Sequence, residues 1–237
     1  MSKNGIHYFF LGCKFLIKPG IKRYVIIPAI INILLFALFM YTGIHLINHF
    51  TIHLPAWLHW LRWLFWLLFF FASAVIMAFS YTIITNLIGA PFNGLLSEKI
   101  ELMVTGKTPG ENTSFWAAIK DIPRSLNREW EKIIYYAPRA IVLIICYLVP
   151  VVNLLASFLW FIFGCWMMAV EYVDYPMDNH KIPFEKLHQH LRNNCLASFS
   201  FGFIVTIATM IPIVNFIVMP AAVAGGTLMY IDQTESK

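Results

Sequence analysis

The stretch IIYYAPRAIVLIICYLVPVVNLLASFLWFIFGCWMMAV (133–170) decides how this chain folds. It is apolar almost from end to end, yet Pro150-Val151-Val152-Asn153 breaks it with no charged residue beside the break. A second stretch, LASFSFGFIVTIATMIPIVNFIVMPAAVAGGTLMY (196–230), repeats the design around Pro212-Ile213-Val214-Asn215. The runs ahead of the two breaks, Ile133 to Val149 and Leu196 to Ile211, hold 17 and 16 residues. A helix needs ~17–25 residues to cross ~30 Å of hydrocarbon, so these runs sit at or below the limit. A turn made only of Pro and Asn among hydrophobics predicts a helical hairpin whose tip stays inside the membrane. Protein or a water-filled cavity must then satisfy the freed backbone groups. Two kinked helix pairs with short outer loops are the alternative.

The rest of the composition agrees with a membrane protein. Of 237 residues, 59% are apolar and only 12% charged, against ~45–50% and ~25% in soluble domains. Ahead of the repeat, residues 24–47 read as a first span and 63–104 as a long second one that leaves the membrane or bends at Pro91. Forty residues of helix would measure ~60 Å, about twice the hydrocarbon thickness. Residues 5–18 predict an N-terminal interfacial amphipathic helix, with Ile6, Phe9, Phe10, Cys13, Leu16 and Ile17 on its apolar face. Residues 109–132 and 171–195 are polar and are assigned to the cytoplasm. Hairpins occupy 133–170 and 196–231, and the whole of 1–237 forms one membrane domain. The expected fold is therefore all-α: two long transmembrane helices plus two re-entrant, hemi-penetrating helical hairpins.

Charge gives the sidedness. Of 17 Lys and Arg, Arg62 lies between the first two spans and Arg139 lies inside an apolar run. The other 15 fall in the N-terminus, 97–132, 171–195 and the C-terminus. Under the positive-inside rule these segments, and both termini, are cytoplasmic. Six full spans would give the same sidedness. The net charge of +5 comes without a basic stripe interleaved with aromatics, so nucleic acid is not an expected partner.

Few residues carry chemistry. His45, His49, His53 and His59 have no carboxylate or Cys companion, which argues against metal. Cys13, Cys146, Cys165 and Cys195 have no metal-type spacing and read as packing residues. There is no nucleophile elbow and no phosphate-binding Gly loop, so neither an enzyme nor a cofactor is expected. Arg139 is costly in an apolar run unless it snorkels, pairs with an acid such as Glu98, or faces water. Asn32, Asn86, Asn93, Asn153 and Asn215 belong against protein or along a water path.

KPGIKR (18–23) stands at the start of the first span. Pro19 and Gly20 make a turn, and the amides of Ile21, Lys22 and Arg23 become the unsatisfied donors of a helix N-terminus. Those donors favour an anion, and the Arg23 fork suits a tetrahedral oxyanion. Positive-inside anchoring explains the same cations without a ligand.

PGIKRYVIIPAIIN (19–32), NLIGAPFNGLLSEKIE (86–101) and the twin Pro-Val-Val-Asn and Pro-Ile-Val-Asn turns resemble the CysZ family of bacterial inner-membrane sulfate permeases, in order and over nearly the whole chain. The resemblance implies two spans with two hemi-penetrating hairpins, a homodimer or higher homo-oligomer, and sulfate import into the cytoplasm for cysteine biosynthesis. It also implies a sulfate site where the family has Gly-Leu-Arg-Arg; here those positions are Gly20, Ile21, Lys22 and Arg23. Lys22 keeps the charge of the family's Arg but loses its bidentate geometry. The expected route draws on Asn32, Asn93, Glu98, Arg139, Asn153 and Asn215. No nucleotide motif is present, so transport is passive or ion-coupled, with Glu98 the candidate for proton coupling. The rival is a non-transporting scaffold or assembly protein that binds anionic lipid or a cytoplasmic partner.

Overall fold

A computed structural model describes residues 4–52, 55–107, 122–150 and 152–235. Among the described residues all regular structure is helical: α1 (Gly5–Leu16), α2 (Lys22–Ile52), a 3₁₀ turn (Ala56–Leu61), α3 (Arg62–Thr105), α4 (Ile122–Leu148), α5 (Val152–Asn179), α6 (Phe184–Asn193), α7 (Cys195–Thr209) and α8 (Pro212–Glu235). The chain forms two compact units, one of residues 1–24 and 91–237, the other of residues 25–90.

Within the smaller unit, α2 and α3 meet where Gly43 leaves room for the Phe69 ring. Its outward surface carries Ile33, Leu34, Leu38, Leu68 and Phe70 in exposed positions. The helix α2 has 31 residues and α3 has 44, which is about 46 Å and 66 Å at 1.5 Å per residue. α3 runs unbroken through Pro91.

The larger unit is built around α8. Its residues 220–231 are all buried, and a helix apolar all round belongs in a core. Small residues in AAVAGG (221–226) let neighbouring backbones close in. A Cβ on Gly12 of α1 would fall 2.2 Å from Ala221 O, and one on Gly202 of α7 would fall 1.8 Å from Cys165 O of α5. Such distances mean backbone-to-backbone contact.

α1 corrects the expected amphipathic face. Asn4 caps it, its side chain accepting from Ile6 N–H at 3.4 Å. The buried residues are Gly5, Tyr8, Phe9, Gly12 and Phe15, whereas Phe10 and Ile17 are exposed. The packed face is thus rotated by roughly 100°, one residue's step, from the expected one. Glycine has no hydropathy to advertise a contact, so Gly5 and Gly12 left no mark on the apolar rhythm.

The two hairpins differ in detail from their expected boundaries. α4 starts at Ile122, so the polar stretch ahead of residue 133 continues the same helix. α5 runs to Asn179, past Glu171, Asp174 and Asp178. The break between them includes Val149 and Pro150, and Asn153 N–H donates to Val149 O across it at 3.1 Å. α7 has 15 residues, about 22 Å. Val152–Asn179 is the one helix among the described residues long and apolar enough to cross a membrane; Ile33–His49, Trp63–Ser73 and Cys195–Thr209 are shorter apolar helices. Residues 108–121, with most of the polar stretch 109–132, lie outside the described residues.

Candidate anion-recognition turn and a buried charge clasp

Lys18 to Ile21 form a tight turn in which Ile21 N–H donates to Lys18 O at 3.3 Å. Gly20 has φ +89°, the left-handed value that a Pro-Gly pair supplies at the third position of a type II turn. The expectation of three open amides is corrected here to two, because Ile21 N–H is used by the turn. Among the described residues the amides of Lys22 and Arg23 have no backbone acceptor. Ile21 anchors the turn: its side chain is fully buried in the core that also holds Leu96 and Ile100. Lys18, Lys22 and Arg23 stand outside that anchor, exposed.

Two of the three cations are held by aromatics. Lys18 Nζ lies 3.4 Å from the Phe15 ring centroid. The Arg23 guanidinium lies 4.9 Å from the Tyr24 centroid and donates to Tyr24 Oη at 3.0 Å. Among the described residues no carboxylate pairs with any of the three. Two free amides and three cations, with no counter-ion among the described residues, make a positive site suited to an anion.

The other sequence candidates are dispersed. Asn93 is buried on α3 and donates to Tyr175 Oη at 3.2 Å. Glu98 is half-buried one turn further along. Asn153 is exposed at the tip between α4 and α5. Arg139 reaches Tyr135 O at 2.5 Å and lines an apolar groove. Asn32 and Asn215 stand on α2 and α8, but their side chains, like that of Asn86, lie outside the described residues.

A second polar structure escaped the sequence reading. Arg124, Arg128 and Lys132 recur along one face of α4, and Glu171, Asp174 and Asp178 along one face of α5. Arg128 Nε donates to Asp174 Oδ1 at 2.8 Å, and Arg124 Nη1 lies 2.8 Å from Asp178 Oδ1. Lys132 Nζ touches three carboxylates: Glu129 at 2.8 Å, Glu171 at 3.0 Å and Asp174 at 3.2 Å. Burial alone would lower the Lys132 pKa; the Glu171 and Asp174 carboxylates outweigh it and hold the ammonium well above the usual lysine range. Glu171 also accepts from Tyr175 Oη at 3.3 Å, which ties the clasp to Asn93. The signal available in sequence was the matching spacing, i, i+4, i+8 against i, i+3, i+7. Because its cations are neutralised by carboxylates, the clasp fastens helices and offers nothing to an anion.

Nearby, His180 Nε2 lies 2.8 Å from Glu101 Oε1. That hydrogen bond, opposed by burial and helped by the carboxylate charge, raises the His180 pKa above 6.5. A raised folded-state value contributes stability that is full below the unfolded value and lost as pH rises through the folded one. The thermal midpoint lost on His180→Gln is therefore expected to be larger at pH 6 than at pH 8.5. Equal losses at both would show that the pair is not ionic.

The exposed surface defines the class. Leu148, Leu154, Ile141, Val142, Ile144, Ile145 and Phe158 point outward from α4 and α5, with Leu154 85% exposed. An all-helical chain that turns such residues outward while burying its charges in pairs is an integral membrane protein. The family model described as "Sulfate transporter CysZ/Etoposide-induced protein 2.4" matches residues 8–220, and the chain belongs to that family. It is 40% identical over 242 residues to the "Sulfate transporter CysZ" of Salmonella typhimurium (strain LT2), covering 100% of this chain and 95% of that protein. The "Sulfate transporter CysZ" of Salmonella enteritidis PT4 is similar to the same extent, 40% identical over 242 residues.

Proposed function

We propose that this chain is a sulfate permease that recognises its substrate at Gly20–Arg23 and imports it into the cytoplasm, where it supplies cysteine biosynthesis. The observation that carries the reading is the uncompensated turn: amides at Lys22 and Arg23 without a backbone acceptor, their side chains exposed, and no carboxylate among the described residues paired with them. Sulfate is doubly charged and strongly hydrated, so a site that binds it must return several strong hydrogen bonds. Charge-assisted N–H donors from a helix N-terminus and a guanidinium fork are suited to this. The names of the two Salmonella relatives agree with the same substrate.

The architecture belonging to this reading is one inner-membrane domain with two spans on α2 and α3 and two re-entrant hairpins, α4–α5 and α7–α8. The length of α7, about 22 Å for its 15 residues, supports a hairpin that dips into the ~30 Å core without crossing it. Both termini are cytoplasmic, and the working unit is a homodimer or larger. Sulfate passes between the hairpins along polar groups that include Asn93, Asn153 and Asn215, with Glu98 the carboxylate nearest that route in sequence. The protein carries no reaction; it lowers the barrier to desolvation.

Uptake of radiolabelled sulfate into liposomes tests this. Flux well above that of empty liposomes, and little reduced by excess chloride, is expected. Absence of flux from folded, correctly inserted protein would remove the reading and leave the cations as a membrane anchor.

A further inference from the structure

The groove between α4, α5 and α7 has a volume of about 710 Å³, inside the roughly 300–1,000 Å³ of small-molecule sites. Its walls include Val142 and Leu143 of α4, Leu159 and Ile162 of α5, and Phe199 of α7; Arg139 is the one charged residue lining it. An arginine in such a groove is costly unless something offsets its charge.

The side chain is already positioned for a ligand at one end. Helical side chains lean toward the helix N-terminus, and Arg139 follows that lean, with Nη1 donating to Tyr135 O and the guanidinium 3.7 Å from the Tyr135 centroid. The charged head thus sits about one turn closer to Lys132 and its clasp than the Arg139 Cα. Tyr135 Oη accepts from Trp166 Nε1 at 3.2 Å. A Tyr and a Trp beside an arginine, between a charged clasp and an apolar wall, form the pattern of a membrane–water interface.

The Arg139 charge is unpaired there: among the described residues no carboxylate pairs with it, and a guanidinium has five donors. His188 packs against Tyr135 at 4.0 Å between ring centroids. Burial lowers its pKa first; its hydrogen bond to Phe184 O opposes this, and the Arg139 and Arg192 charges lower it further. The Asp174 carboxylate opposes them; of the charged groups, Arg139 is the one that lines the groove, whose remaining wall is apolar.

We infer that this groove holds one anionic phospholipid, its phosphate on Arg139 beside Tyr135 and one acyl chain along Val142, Leu143, Leu159 and Ile162. The charge favours an anionic headgroup over a zwitterionic one, because the one charged residue lining the groove is the Arg139 cation and no carboxylate lines it. The inference rests on the α4–α5 hairpin lying in the membrane, and lipid binding is read without any flux. It therefore stands or falls separately from sulfate transport.

The test is native mass spectrometry of the full-length protein in detergent, titrated with phosphatidylglycerol and with phosphatidylcholine of the same chains. One phosphatidylglycerol is expected to bind in preference to phosphatidylcholine. Arg139→Ala should weaken it roughly five- to tenfold with phosphatidylcholine unchanged, and Arg139→Lys should keep most of the preference. Val142→Trp, which fills the groove from an exposed position, should weaken both lipids while the thermal midpoint stays unchanged. Equal phosphatidylglycerol binding by the native protein and Arg139→Ala would overturn the assignment. So would displacement by glycerol phosphate alone, which would make the site one for a soluble anion, or a change in oligomeric state without a change in lipid binding, which would make the groove an interface between copies.

Discussion

Replacing Asp174 with alanine is expected to cost about 3–5 kcal/mol of stability, the range for removing one partner of a buried ion pair. Asp174 is 2% exposed and is gripped by two cations that are nearly as buried, Arg128 and Lys132. Without it, Arg128 loses its 2.8 Å contact from Nε and Lys132 loses one of its three carboxylates. Removing the charge leaves two cations in a site built for near-neutrality, which costs more than the lost hydrogen bonds themselves. Asp174→Asn keeps the shape without the charge and should fall between native and Asp174→Ala. The check is the thermal midpoint in detergent by intrinsic fluorescence, together with the fraction of protein that elutes monodisperse. A midpoint for Asp174→Ala within a degree or two of native would mean that α4 and α5 are held by their apolar contacts instead.

Gly202→Val is the second large effect, at about 3 kcal/mol or above, the upper end of what overpacking costs. Even a lone Cβ at Gly202 would lie 1.8 Å from Cys165 O and 2.9 Å from Cys165 C. Both are main-chain atoms of α5, so no rotamer change relieves the clash; α5 and α7 must move apart. Thr206 Oγ1 also donates to Gly202 O at 2.8 Å, and that bond is buried with the contact. Gly164→Ala supplies the control. A Cβ there meets nothing within 4 Å, so the change should be neutral or slightly stabilising, since Ala is the better helix former. Equal damage from both substitutions would show that loss of glycine, not the approach of α5, is responsible.

These two sites mark where the sequence was hard to read. Residues 24–47 and 63–104, expected as spans, are helical within α2 and α3, because long apolar runs are a strong helix signal in such a chain. The twin Pro-Asn breaks fall between helices, α4 from α5 and α7 from α8, for a related reason: proline is common just past a helix end or at its first position. The limits of α4 and α5 were missed because Arg124, Arg128, Glu171 and Asp174 look like loop residues one at a time. They become core only when opposed, and the opposition is tertiary. The protein-packed face of α1 was not legible because its closest contacts are made by Gly5 and Gly12, which carry no hydropathy. In the Lys18–Arg23 turn, Gly20, Lys22 and Arg23 were legible as a motif, but the burial of Ile21 was not. That burial makes the turn a fixed feature of the fold, so its amides are presented in one direction.

The measurement that bears most directly on sulfate permeation is uptake of radiolabelled sulfate into liposomes by the native protein and by Arg23→Ala, each at matched insertion. On the proposed reading Arg23 would supply sulfate with charge-assisted hydrogen bonds worth ~1.5–3 kcal/mol, so its loss should cut uptake at low sulfate about tenfold or more, with the folded fraction unchanged. Arg23→Lys, like Lys22 in this chain, should retain part of the activity by keeping charge without the fork. Native flux that Arg23→Ala leaves intact would contradict recognition at the turn.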